Sequence, residues 1–272
     1  MNRGEEFTPR EPTMSFETIL LDVADGVATL TMNRPETLNA LNRQLVDDMT
    51  AALDQVEADD DIRCLLITGA GRGFCSGADL ADPSGSGGDL GEMLDEFYNP
   101  FGQRLRDLKV PIVAAVNGPC AGAGMSIAMA ADIIIAGKSA SFLQAFANIG
   151  LVPDVGATYY LPRMIGGSRA AGMMLLGEKL PAEKAYEWGL VWEVVEDNRL
   201  MEAAEKIATK LGKGPTVGLN QIRGLLDASE GNSFGGQLDL EARAQSTAGA
   251  TNDFREGVKA FLQKRPAEFS GS

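Results

Sequence analysis

The stretch that decides the fold spans residues 111–136 and reads "PIVAAVNGPCAGAGMSIAMAADIIIA". Its apolar run at 111–117 predicts a buried β-strand, and the small residues that follow predict a turn that opens a helix near Gly122. A second buried strand follows in "DIIIAG". Because a strand, a helix and a strand follow one another here, we expect parallel strands covered by helices.

The same alternation begins earlier in the chain. Residues 17–33 predict a β-hairpin that turns at Ala24-Asp25-Gly26. Residues 42–60 predict an amphipathic helix, and residues 63–69 predict a short buried strand. After residue 168, the strand-like pattern is limited to residues 189–195. The remaining pattern predicts helices at 181–188, 199–212, 215–228, 234–248 and 252–264. We therefore expect an α/β core at 16–200, a helical region at 201–272 and a disordered leader at 1–15.

Composition excludes several classes of function. The net charge of −14 argues against nucleic acid or an anionic membrane as the partner. The chain has no histidine, which excludes Ser-His-Asp and Cys-His pairs and imidazole metal ligands. Its three cysteines are widely spaced and predict no disulfide framework. No apolar run is long enough for a membrane span or a signal peptide, so we expect a cytoplasmic protein without a metal.

Two glycine-rich turns follow predicted strands. One lies in "TGAGRGFCSGADL" (68–80) and the other in "NGPCAGAG" (117–124). Backbone N–H groups in such turns can approach a ligand closely, and two of them could converge on one oxygen as an oxyanion hole. A tight surface turn is the alternative interpretation of the first segment, and close helix–sheet packing is that of the second. A further short loop, "DPSGSGGD" (82–89), is typical of a mobile surface loop near a site.

Asp154 is the only charged residue of "GLVPDVGATYY" (150–160). A carboxylate in an apolar pocket has a raised pKa, which makes it a stronger base. The side chain of Asp154 could instead cap a helix by accepting a hydrogen bond from the amide of Gly156 or Ala157. The residues alone leave both interpretations open.

Four segments, taken in order, resemble the crotonase family of enoyl-CoA hydratases and isomerases: 33–42, 71–80, 111–136 and 150–166. The resemblance covers about residues 16–265. It implies a crotonase-like ββα spiral core with a helical C-terminal trimerisation region, assembled as a homotrimer or a dimer of trimers. It also implies an acyl-CoA thioester as substrate, with no cofactor beyond the coenzyme A that the substrate carries.

The resemblance also assigns site residues. The oxyanion amides are those of Ala78 and Ala123, the latter preceded by Gly122. Since the family usually has glycine at position 123, alanine there would be strained if its φ were positive. The coenzyme lies along Leu38, Ala40, Ala78, Asp79 and Leu80, and a neighbouring subunit contacts its nucleotide end through Phe261 and Lys264.

The side chains at the acid–base positions favour an isomerase. The positions of the two hydratase glutamates hold Ser126 and Phe146, and neither residue is a base at neutral pH. Asp154 occupies the position at which some isomerases of the family carry an aspartate. Within the family, residues 59–80, 96–101 and 186–197 look most like the phenylacetate-degradation branch, which isomerises 1,2-epoxyphenylacetyl-CoA and shifts double bonds of unsaturated acyl-CoAs.

Three alternatives remain. An enoyl-CoA hydratase would lack its glutamates. A 4-chlorobenzoyl-CoA dehalogenase-like enzyme would use Asp154 as a nucleophile, but that branch also needs a histidine and a tryptophan at position 146, and both are absent. A non-catalytic member that only binds coenzyme A would tolerate replacement of Asp154.

Overall fold

The computed structural model describes residues 16–82 and 89–272. The predicted leader at 1–15 and all but the ends of the predicted loop at 82–89 lie outside these residues. The strands are β1 Ile19–Ala24, β2 Val27–Met32, β3 Cys64–Gly69, β4 Ile112–Val116, β5 Pro119–Ala121, β6 Ile133–Gly137, β7 Ser141–Leu143, β8 Leu180–Pro181 and β9 Glu193–Val195. The helices are α1 Arg43–Ala58, α2 Leu90–Met93, α3 Asn99–Asp107, α4 Ala123–Met129, α5 Ala157–Ile165, α6 Gly167–Leu176, α7 Ala182–Trp188, α8 Leu200–Gly212, α9 Thr216–Ser229, α10 Phe234–Gly249 and α11 Asn252–Gln263.

A six-stranded sheet forms the centre of the molecule in the order β1-β2-β3-β4-β6-β9. The β1–β2 hairpin is antiparallel and all other neighbours in this sheet are parallel, as the strand–helix–strand alternation predicts. The carboxyl ends of β3 and β4 therefore lie side by side. Both glycine-rich turns follow these two ends, which places them next to each other.

Strand β3 shows why the central sheet is covered on both faces. All six of its residues are buried. Leu65 and Ile67 face the main core with α1, whereas Cys64 and Leu66 face α8 through Ala204 and Ala208. Successive side chains of a strand point to opposite faces, so a strand buried on both faces is a continuous apolar run. Helix α8 thus covers the face of the central sheet opposite α1.

A second, smaller sheet of β5, β7 and β8 was not predicted. Its strands contain two or three residues each, too few for a period-two pattern to register. A single backbone pair, Cys75 with Cys120, joins the first glycine-rich turn to β5, and another, Leu41 with Ala78, joins it to the loop before α1. The Cys75–Cys120 pair therefore links the two glycine-rich turns directly.

The C-terminal helices α7–α11 lie within one residue of the predicted bounds. Helix α9 packs against α10, and these helices leave large apolar side chains exposed: Ile222, Leu226, Phe234, Leu238, Phe254, Val258, Phe261 and Leu262. Within the described ranges, no helix combines the length and the hydropathy that a membrane crossing requires.

Gly118, at the turn after β4, is expected to be essential for stability. A Cβ there would lie 2.1 Å from the carbonyl oxygen of Arg72, a backbone atom that cannot swing away. Gly118→Ala should therefore lower the free energy of unfolding by about 3 kcal/mol, the upper end of overpacking costs. Urea unfolding at one fixed protein concentration measures this loss in the free energy of unfolding.

The matched control is Gly224→Ala, because Gly224 lies in α9 with open space around its missing Cβ. That variant should gain up to about 1 kcal/mol from the higher helix propensity of alanine. Equal unfolding midpoints for both variants would contradict the assigned packing of the turn.

Candidate active site

A cavity of about 870 Å³ opens at the carboxyl ends of β3 and β4. Its inner wall combines both glycine-rich turns with Phe146 and Asp154, and its outer wall is the segment 89–98. Apolar side chains that contribute to the lining are Leu41, Leu80, Leu90, Met93, Leu94, Phe97, Phe146, Ile149, Leu151 and Val152. The carboxylate of Asp154 thus shares a largely apolar space with the two turns.

The two turns bring two backbone amides to the same wall of the cavity. Gly77 and Gly122 have φ values of +97° and +52°, and a Cβ on Gly122 would lie 3.6 Å from the Gly77 Cα. Each glycine is followed by a residue whose N–H donates to no atom of residues 16–82 and 89–272, namely Ala78 and Ala123. Two neighbouring free N–H groups can bind one oxyanion, the role that the family resemblance implies for this pair.

Ala123 fits its position without strain. The positive φ falls on Gly122, while Ala123 is the first residue of helix α4 and has a negative φ. Its N–H is one of the unpaired donors that every helix start carries. The strain that a positive φ would have caused at Ala123 is therefore absent, and alanine keeps the donor in place.

Two asparagines that sequence reasoning missed hold the first turn. The Nδ2 of buried Asn39 donates to the carbonyl oxygens of Ala70 and Gly73 at 3.0 and 2.8 Å. The Nδ2 of Asn117 donates to the carbonyls of Gly69 and Gly71 at 2.8 and 3.0 Å. These side chains therefore satisfy and fix the carbonyls at residues 69–73 of the turn. Their signal was an asparagine directly after a strand or within a turn.

Asp154 does not cap helix α5. The residue before the helix is Gly156, which makes no side-chain bond, and the amide of Ala157 donates to the main-chain oxygen of Asp154 at 3.0 Å. The Oδ1 of Asp154 is buried and has no hydrogen-bond partner in the described part of the chain. Burial raises the pKa of this carboxyl to about 6. The N-cap interpretation is therefore wrong.

The backbone just after Asp154 is strained. Val155 has a φ of +47°, a left-handed conformation that a β-branched residue rarely adopts. Such a conformation costs on the order of 1–3 kcal/mol and persists only where the surroundings hold it. Val155 is 8% exposed, and a Cβ on Gly102 of α3 would lie 3.1 Å from its Cγ1. Packing against α3 therefore maintains the turn that carries Asp154.

The residues at the positions of the two hydratase glutamates are not acids. The ring of Phe146 lies over the second turn, where a Cβ on Gly122 would be 3.5 Å from its Cζ. An aromatic ring there excludes water and strengthens hydrogen bonds from the nearby amides. Ser126 is fully buried in α4 and makes only main-chain bonds. Of the two carboxylates on the inner wall, Asp79 pairs with Arg34, whereas the Oδ1 of Asp154 has no partner in the described residues.

The outer wall contains a π-helical turn, Leu94–Tyr98, between α2 and α3. Such turns are rare and frequently mark functional sites. It directs Tyr98, which is 8% exposed, into the cavity that Asp154 also lines. Burial and the charge of Asp154 raise the pKa of Tyr98 to about 12, so the phenol remains a proton donor. No sequence pattern had indicated Tyr98.

The residues expected to bind coenzyme are divided among three places. Ala78, Asp79, Leu80 and Gly122 line the cavity. Leu38 and Ala40 lie on the adjoining loop, whose Leu38 carbonyl accepts from Ser76 N at 3.0 Å. Phe261 and Lys264 are exposed at the end of α11 and do not line this chain's cavity.

Charge at the mouth of the cavity is mainly acidic. Its lining includes Asp79, Asp82, Asp89, Glu92 and Glu96, with Arg43 as the cation. Asp79 pairs with Arg34 at 2.9 Å. An anionic ligand therefore needs positive charge from another source.

None of the three cysteines lines the cavity. All three are buried and free. Burial raises the pKa of the Cys64 and Cys75 thiols to about 12, and that of Cys120 rises for the same reason. A thiol that stays protonated at neutral pH is neither a nucleophile nor a base.

The parallel sheet, the small second sheet and the appended helical region place the chain in the class of proteins with the crotonase fold. A solved structure of the enoyl-CoA hydratase/isomerase from Cupriavidus metallidurans has this fold. It superposes with a TM-score of 0.88 at 34% identity and covers 95% of this chain and 98% of its own.

Sequence comparison gives the family. The family model described as "Enoyl-CoA hydratase/isomerase" matches residues 22–272. The chain is 49% identical to the 1,2-epoxyphenylacetyl-CoA isomerase of Escherichia coli K12 over 94% of this chain and 99% of that protein. It is 45% identical to a Rhodobacter capsulatus protein named "Probable enoyl-CoA hydratase", over 95% of this chain and all of that protein. The chain belongs to the enoyl-CoA hydratase/isomerase family.

Proposed function

We propose that this enzyme is an acyl-CoA isomerase that moves a proton within an unsaturated or ring-containing thioester. The observation that carries the proposal is the half-buried carboxylate of Asp154, which lines the cavity and whose Oδ1 has no partner in the described residues, in a chain whose hydratase positions hold Ser126 and Phe146. Similarity to an epoxyphenylacetyl-CoA isomerase supports the same direction. We infer a place in phenylacetate catabolism or the related metabolism of unsaturated fatty acids.

In the proposed reaction, the thioester oxygen accepts hydrogen bonds from the amides of Ala78 and Ala123. Asp154 removes a proton from the carbon next to the thioester, and the electron pair moves onto that oxygen as an enolate. The protonated Asp154 then gives the proton back at the far end of the conjugated system. The double bond has moved by one position, and the carboxylate is regenerated without any added water.

A hydratase is the second candidate, because the Rhodobacter capsulatus relative carries that name. Hydration requires a base to activate water and an acid to protonate the α-carbon. Asp154 could perform one of these steps, but the ring of Phe146 occupies the wall where the second carboxylate would stand. We therefore expect hydration to be weak.

A paired assay distinguishes the two functions. Purified enzyme is offered a 3-enoyl-CoA, to follow double-bond migration, and crotonyl-CoA, to follow hydration. An isomerase gives a kcat/KM for migration at least 100-fold above that for hydration. Rapid hydration with slow migration would overturn the proposal and assign the hydratase function.

The pH profile of isomerisation should report the pKa of Asp154. The base acts only when it is ionised, and its pKa is raised to about 6 by burial. We expect kcat/KM to be constant above pH 7 and to fall tenfold per unit below pH 6, because protonation removes the base. An ordinary aspartate would titrate about two units lower. A profile that stays flat down to pH 5 would contradict the assignment.

We also propose that the chain functions as a homotrimer or a dimer of trimers. The exposed apolar side chains of α9–α11 are costly in a monomer and are typical of an interface. In an assembly, Lys264 of a neighbouring subunit could supply the positive charge that the acidic cavity mouth lacks. Native mass spectrometry measures the state directly. A monomer at micromolar concentration with full activity would exclude this arrangement.

A further inference from the structure

The fully buried hydroxyl of Ser126 connects the two halves of the site. Ser126 lies one turn into α4, and its Oγ is 3.0 Å from the main-chain oxygen of Asp154 and 3.4 Å from that of Gly122. A hydroxyl has one proton, and the shorter contact is the better bond. Ser126 therefore donates to the backbone of Asp154, 28 positions away in the sequence.

The same turn of helix controls the oxyanion amide. The carbonyl of Gly122 and the N–H of Ala123 belong to one peptide group. That carbonyl accepts from the amides of Met125 and Ser126 at 3.0 and 3.2 Å. The rigid first turn of α4 thus fixes the amide donor, and the Ser126 hydroxyl ties this turn to the backbone that carries the carboxylate.

The backbone beside Asp154 needs such a tie. Val155 is held in a left-handed conformation, so the turn would relax if its contacts were lost. The main-chain oxygen of Asp154 has two donors in the described residues, Ala157 N and Ser126 Oγ, each at 3.0 Å. Only the Ser126 bond joins the turn to α4.

We propose that Ser126 is a positioning residue that sets the distance between the oxyanion amide of Ala123 and the carboxylate of Asp154. This inference rests on the proposed isomerase function. Ser126 is not a catalytic residue, because it is fully buried and does not line the cavity. It acts on the reaction through the backbone of Asp154.

Ser126→Ala tests the proposal. The variant should lose about tenfold to a hundredfold in kcat for double-bond migration, because small displacements of a catalytic group have effects of that size. Its KM should stay within about twofold. Water also gains access to the loosened carboxylate of Asp154. Its pKa should therefore fall toward that of an ordinary aspartate, and the acid side of the pH profile should move to lower pH. Ser126→Thr retains the hydroxyl and should restore most of the activity.

The control is Ser246→Ala, which removes a hydroxyl bonded at 3.0 Å to the main chain four residues earlier in exposed α10. It should leave kcat and the pH profile unchanged. A purely structural role of Ser126 would lower the melting temperature yet leave both readouts unchanged for the folded enzyme. A Ser126→Ala variant with wild-type kcat and pH profile overturns the proposal.

A double-variant cycle separates this proposal from the proposed function. In an Asp154→Asn background, Ser126→Ala should change the residual rate by less than about twofold, because its effect passes through Asp154. If Ser126→Ala lowers the rate by the same factor in the Asp154→Asn background as in the wild type, the positioning role is wrong. If Asp154→Asn alone retains wild-type migration, the proposed function itself fails. If Asp154→Asn is inactive while Ser126→Ala is fully active, only the positioning role fails.

Discussion

Replacing Asp154 with asparagine is expected to lower kcat/KM for double-bond migration by about 10²- to 10⁴-fold, the range that general base catalysis supplies. Asparagine has nearly the same shape but cannot accept the α-proton. The oxyanion amides and the cavity wall are unchanged, so the affinity for an unreactive acyl-CoA should stay within about threefold. Steady-state kinetics and calorimetry on the same preparation measure both quantities.

The Asp154→Asn variant should also be more stable than the wild type at neutral pH. Burial disfavours the charged form, so the folded state binds a proton more tightly than the unfolded chain. The ionised carboxylate is therefore destabilising above pH 6. The gain in melting temperature should be complete above that pH, shrink as the pH falls through 6, and disappear below about pH 4.

The control is Asp48→Asn. Asp48 is a buried aspartate of α1 that accepts a hydrogen bond from Thr18 N at 2.8 Å and does not line the cavity. That variant should lose stability and keep its kcat. If Asp154→Asn instead loses stability and keeps its activity, Asp154 is a structural residue and the assigned base is wrong.

Replacing Ala123 with proline is expected to lower kcat by about 10²- to 10³-fold, because proline removes one N–H donor of the oxyanion hole. The position tolerates proline better than most, since it is the first residue of α4, where the N–H has no helical partner. The substitution therefore tests the donor rather than the helix.

Ala123→Gly is the matched variant, since it keeps the N–H and changes only the side chain. Its kcat should remain within about threefold of the wild type. Circular dichroism and the melting temperature establish that both variants are folded. A folded proline variant with wild-type kcat would show that the Ala123 amide does not bind the developing negative charge.

Much of the framework follows from local patterns. The helices after residue 180 are predicted within one residue because their periodicity is long and clean. The strands β3 and β4 are evident as continuous apolar runs. Once these strands are parallel neighbours, their carboxyl ends meet, so the proximity of the two glycine-rich turns is a consequence of topology.

Other features of the site depend on tertiary contacts that no local pattern encodes. The π-helical turn that presents Tyr98 leaves no periodic signature. Valine disfavours a positive φ, so the conformation of Val155 runs against its local preference and is maintained by packing on α3. The bond from Ser126 to Asp154 joins residues 28 positions apart. These features set geometry at the site, where local preference gives way to the surrounding structure.

Transfer of deuterium tests the central claim, that one carboxylate moves the proton between two carbons. A 3-enoyl-CoA deuterated at the α-carbon is converted in ordinary water, and the 2-enoyl product of the first turnovers is analysed by mass spectrometry and NMR. If Asp154 carries the proton, part of the label appears at the γ-carbon, because a buried carboxyl returns it before solvent exchange is complete. Product with no deuterium at the γ-carbon, even at the earliest times, would contradict the claim.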